Sequence, residues 1–145
     1  MKLDDWRKGL MGVTGAVMVY ALGLMLMPGV MHGLFTTLFF GGADAIQSLK
    51  ELEGDEGRFI TLVYGVLGAV MLGWMAGIMW MLVRGFRSNP REVWATLTFS
   101  VVVWFVVDSG FSVVTGFVEH ALFNVAFVVM YAIPLIGMGR ALYSR

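Results

Sequence analysis

The residues able to do chemistry in this chain are few, and four of them fall close together: Asp108, Ser112, His120 and Asn124. An aspartate and a histidine among apolar neighbours can exchange protons with a substrate, while a serine and an asparagine orient it. Two histidines and two carboxylates also allow a two-His, one-carboxylate metal site, drawn here from His32, His120, Asp108 and Glu119. Spacing argues against the metal. There is no His-x-x-x-His or Glu-x-x-His pattern, and His32 and His120 are far apart in sequence. A bis-His haem between them is disfavoured further, because both lie near the ends of apolar runs rather than at mid-depth. Cysteine is absent, which removes disulfides, thiolate metal sites and thiol redox chemistry. No cofactor is expected, and no motif names a catalytic residue.

The elements that hold these side chains are set by composition. Of 145 residues, 59% are hydrophobic and 14% charged, against about 45–50% and about 25% in soluble domains. Crossing a bilayer takes about 20 mostly apolar residues, and four such runs are present, at about 9–27, 59–83, 92–114 and 117–138. The reading is an all-α polytopic membrane protein: a four-transmembrane-helix bundle forming one domain over 1–145. Zero net charge gives no reason to expect a nucleic-acid partner.

The distribution of charge orients the spans. Lys2, Arg7 and Lys8 precede span one; Arg84, Arg87 and Arg91 separate spans two and three; Arg140 and Arg145 follow span four. Only Lys50 and Arg58 lie in the gap after span one. By the positive-inside rule both termini are cytoplasmic, in a bacterial inner membrane. Acidic residues crowd an outer loop at 28–58.

Local signals mark the boundaries. Pro28-Gly29 stops or kinks span one. The apolar piece 30–40 is too short to cross, so it either extends helix one beyond a kink or lies in the outer interface. Asp44 can cap a short outer amphipathic helix at 45–53, ended by Gly54. Asn89-Pro90-Arg91-Glu92 is a helix start, and Thr115-Gly116 a turn. Gly65, Ala69, Gly73 and Gly77 form a small-residue ridge on span two that admits close helix packing, within one bundle or across a homodimer seam. Twelve methionines and the aromatics of spans two and three could line an adaptable apolar pocket. They equally suit lipid or neighbouring helices.

If spans three and four form an antiparallel hairpin about Thr115-Gly116, residues whose numbers total about 231 share a depth. Asp108, Ser112, His120 and Asn124 then make one inward polar cluster, which His32 and Arg58 could join. Such groups are functional candidates by default. They are equally well read as hydrogen-bonded glue worth ~0.6–2 kcal/mol per bond.

The order of features resembles that of small four-span bacterial membrane proteins of the broad DoxX-like group. The resemblance lies in Gly23-Leu24-Met25-Leu26-Met27-Pro28-Gly29, the Gly-rich stretch 58–74, the Arg87-Ser88-Asn89-Pro90 turn and the third span bearing Asp108. It implies a four-helix bundle and no particular activity.

Three functions are compatible with these residues. One is a non-enzymatic accessory subunit or binder of a small hydrophobic molecule, with the bilayer, a second copy or a larger membrane complex as partner. Another is an enzyme acting on a lipid or isoprenoid through Asp108 and His120. The third is a small transporter. Four-span exporters of similar size rely on an acid in the first span, and 9–27 contains none.

Overall fold

The computed structural model describes residues 2–40 and 54–144. Its elements are α1 (Leu3–Leu26), α2 (Pro28–Phe40), α3 (Asp55–Trp80), a π-helical turn (Met81–Gly85), α4 (Phe86–Ser88), α5 (Pro90–Val114) and α6 (Val118–Tyr143). Four stretches are long and apolar enough to cross a bilayer: Leu3–Leu26, Asp55–Ser88, Pro90–Val114 and Val118–Tyr143. Their outward faces carry Phe99, Phe111 and Val114, which are 71%, 69% and 86% exposed. Leaving such side chains in water forfeits about 1.5–3 kcal/mol each, so hydrocarbon is the solvent this surface fits. The chain is an all-α, multi-pass integral membrane protein with four spans. The short amphipathic helix expected at 45–53 lies outside the described residues.

Helix ends follow local chemistry. Asp5 reaches back from the first turn of α1 to accept from the Lys2 backbone N–H at 2.8 Å, half of a capping box. Asn89 caps α5 by accepting from the Glu92 backbone N–H at 3.3 Å and donating to its carboxylate at 2.7 Å, with Pro90 at the first helical position. Gly116 takes φ 87° after α5. There the Phe117 N–H bonds the Ser112 carbonyl and the Gly116 N–H that of Val113, at 2.8 and 3.1 Å. That is a Schellman closure, which a glycine at positive φ permits.

Two compact units emerge, one of residues 16–75 and one of 1–15 with 76–145. In the first, the segment assigned from sequence to an outer loop at 28–58 begins as a helix. Pro28 ends α1 because it has no N–H to offer, and Met27 caps α2 by accepting from Val30 and Met31. Helix α2 then folds back along α1. The Tyr20 and Phe35 rings lie 6.5 Å apart, and the Met31 thioether end occupies the space where Gly23 has no side chain. A continuous helix would separate Tyr20 from Phe35 by roughly 22 Å. So 30–40 continues helix one beyond a kink at Pro28, turned back along α1, and is not a detached interfacial segment.

The small residues that close this unit are not the ones the four-residue ridge marked. Gly65, Gly73 and Gly77 meet nothing within 4 Å where a Cβ would stand, and Ala69 is exposed. Gly68 is the contact: a Cβ there would lie 2.6 Å from the Ala21 carbonyl oxygen and 3.1 Å from the Leu24 Cβ. Helical pitch explains the difference. Steps of four overrun a 3.6-residue turn, so positions 65 to 77 drift around the helix by about 120°. The buried residues Gly57, Gly68, Met75, Ile78 and Leu82 follow another line.

In the second unit the start of α1, the π-turn with α4, the start of α5 and the end of α6 meet at one end. The Trp6 indole lies flat on Gly137, leaving no room for a Cβ. Arg7 pairs with Asp4 at 2.7 Å, donates to the Leu82 carbonyl at 3.4 Å and sits 5.7 Å from the Phe86 ring centre. The Trp94 indole N–H donates to the Leu135 carbonyl at 2.8 Å, and Arg91 stacks over Tyr143. The core between is Leu10, Ile78, Leu82, Leu97 and Met138, each at most 2% exposed.

Substitution of Gly68 by alanine should lower stability by about 1–3 kcal/mol through overpacking. Gly73→Ala should be neutral or stabilise by up to ~1 kcal/mol through helix propensity. Denaturation of both variants in detergent micelles checks this, and equal effects would contradict the packing described.

Candidate functional site

The tight turn at Thr115 and Gly116 fixes which residues of α5 and α6 lie level. Ser112 meets His120 and Asp108 meets Asn124, so paired numbers total 232, against the expected total of about 231. All four cluster residues are thus brought together in one unit. Ser112 and Asn124 are each 3% exposed, while Asp108 and His120 are half-buried.

Hydrogen positions follow from the distances. The Ser112 hydroxyl donates to the Asp108 backbone carbonyl, one turn back, at 2.7 Å. Its oxygen lies 2.8 Å from His120 Nδ1. A hydroxyl has a single proton, so Nδ1 carries the proton of that second bond. The Asn124 amide donates both to Asp108 Oδ2 at 3.1 Å and to Ser109 Oγ at 3.3 Å. The cluster clamps α5 to α6 through side chains that satisfy one another.

The remaining candidates lie elsewhere. His32 is 7% exposed and in the other unit, with Nδ1 3.2 Å from the Tyr64 hydroxyl. Phe35 stacks on Tyr64 and on Phe39, at 5.7 and 5.3 Å between ring centres. Arg58 is 85% exposed and pairs with Asp55 at 3.4 Å. Glu119 is exposed in the first turn of α6, where an acid favours the helix N-terminus. Among the described residues no three of His, Cys, Asp and Glu converge as metal ligands would.

Two features escaped sequence reading. Ser109 joins the cluster from the position beside Asp108, a place with no periodic signal. Thr14, fully buried on α1, hydrogen-bonds Tyr131 of α6 and donates to the Leu10 carbonyl at 2.8 Å. A threonine facing inward amid apolar neighbours was the available clue.

Comparison with known protein families, curated proteins and solved structures finds no match for this chain.

A double-mutant cycle of Ser112→Ala and His120→Phe should give a coupling of ~0.6–2 kcal/mol. Unfolding in micelles reads this value, and additive single effects would show the 2.8 Å contact to be energetically empty.

Proposed function

We propose that this protein is a non-enzymatic component of the bacterial inner membrane, with both termini cytoplasmic. It serves as an accessory subunit of a larger membrane complex or as a binder of a small hydrophobic molecule. The observation carrying this reading is the surface. Asn89 alone joins α4 to α5, and Thr115 to Phe117 join α5 to α6. The faces left open are the apolar side chains of the spans, so a partner or ligand meets the protein inside the bilayer. The clamp of Asp108, Ser112, His120 and Asn124 supports the same reading, since its most buried members are bonded within the hairpin.

Orientation draws support from the second unit. Arg7, Arg84 and Arg91, from three separate stretches of sequence, belong to the end where Trp6 and Tyr143 also lie. Basic residues gathered at one end mark a cytoplasmic face.

An enzyme acting on a lipid or isoprenoid is the second reading, favoured by one contact. His120 stands 2.8 Å from a serine hydroxyl, the separation of a base and its nucleophile. Against it, Ser112 is 3% exposed and its proton is directed at a backbone carbonyl.

Three experiments bear on these readings. Purified in mild detergent, the protein should be recovered with a larger complex or with a stoichiometric apolar molecule. Reconstituted in bilayers of bacterial polar lipid, it should leave lipid composition unchanged; turnover abolished by Asp108→Asn or His120→Ala would establish the enzyme instead. Reporter tags at both termini should give cytoplasmic signals, and an external signal from either would reverse the orientation.

A further inference from the structure

A groove of about 500 Å³ opens on one face of α6 beside the start of α1, within the about 300–1,000 Å³ of ligand clefts. Its floor is Ile133 and Ile136, which are 60% and 56% exposed, with Gly137 and Ala141 between turns. One wall is the Trp6 indole, seated on Gly137 where a Cβ would collide with it. Polar groups stand only toward one end: Arg140 and, one turn on, Ser144. Among the described residues the Arg140 guanidinium makes no ion pair.

The order of these groups along the helix specifies an occupant. Arg140 lies at the basic end of the unit, and Ile133 lies roughly 10 Å deeper along the helix axis. A bound molecule must be charged at the membrane surface and apolar below it, as a phospholipid is. The sign of its charge is also set. Among the described residues no Asp or Glu lines the groove. The acids flanking Trp6 in sequence are engaged, Asp4 with Arg7 and Lys8 and Asp5 with the Lys2 N–H. Among the described residues a headgroup amine finds no carboxylate free to pair with it there, whereas a bare phosphate meets a guanidinium and a hydroxyl. Basic pockets at membrane surfaces bind anionic headgroups in this way.

We propose that this groove is a binding site for an anionic phospholipid. Its phosphate is held by Arg140 and Ser144, its glycerol region lies against Trp6, and one acyl chain runs along Ile136 and Ile133. The site depends on the membrane character of the chain and not on the absence of catalysis. Assigning it to the cytoplasmic leaflet does rest on the proposed orientation, which the terminal tags test separately.

Native mass spectrometry of the full-length protein in detergent, titrated with phosphatidylglycerol or phosphatidylcholine of identical chains, tests the site. Phosphatidylglycerol should bind the wild type about fivefold more tightly, the effect of about one interfacial cation. Arg140→Gln should abolish that preference, Arg140→Lys should keep it, and Ile136→Trp should weaken both lipids by filling the floor. Arg84→Gln, at the same end but outside the groove, should leave binding unchanged. Both groove positions are exposed, and melting curves of the variants separate lost binding from lost folding. Equal affinity for the two lipids would overturn the proposal. So would a preference that survives Arg140→Gln, an Arg84→Gln effect as large, or equally tight binding of glycerol 3-phosphate without chains.

Discussion

A hydroxyl in hydrocarbon must find its partner inside the protein, because no water competes for it. Thr14, Thr61, Thr98 and Ser112 resolve this alike, each donating to the carbonyl four residues back in its own helix at 2.7–2.8 Å. That bond needs no neighbouring helix, and it turns the oxygen into an acceptor facing outward. Ser112 then receives the His120 N–H, and Thr14 bonds Tyr131. At Ser112 a donor satisfied within one helix becomes an acceptor for the next, and the contact of α5 with α6 is made this way there.

Close approach is the complementary device. Without water to drive helices together, packing depends on how near backbones and rings can come. Gly68 lets the Ala21 carbonyl approach α3, Gly137 seats Trp6, and Gly139 seats Trp94, where a Cβ would stand 2.9 Å from the indole. Two of these three glycines carry tryptophans, large flat surfaces that exploit the missing side chain more fully than an aliphatic group could.

Whatever was encoded locally could be read from the sequence. Asn89 with Pro90 announced the start of α5, and Gly116 the hairpin turn. Because that turn is so short, counting brought Asp108 level with Phe123 and Asn124 and Ser112 level with Glu119 and His120, and the polar face of α6 singled out Asn124 and His120. What depends on direction in space was not legible. Pro28 says that α1 stops, but nothing in 28–40 states the angle at which α2 departs; Tyr20 and Phe35 disclose it only by meeting. The four-residue ridge lies off the packed face within the chain for a geometric reason, since a helix of 3.6 residues per turn carries such a row away from the face that Gly68 occupies. The partners of His32 and Arg58 are each within their own unit, Tyr64 and Asp55, and no pattern linked His32 to Tyr64 beforehand.

The π-turn at Met81–Gly85 has a consequence for how this chain tolerates change. The Phe86 N–H reaches the Met81 carbonyl, five residues back, so one surplus residue is absorbed while the helix carries on. Everything after it is rotated by about 100° relative to an uninterrupted α-helix. Phe86 faces the Arg7 guanidinium by virtue of that rotation. Ordinary α-helical bonding through the same number of residues would swing the aromatic ring off its cation, whereas removing the surplus residue would restore that bonding and leave Phe86 in place. The bulge is thus a phase adjuster, and its length is tuned to a partner in the first turns of α1.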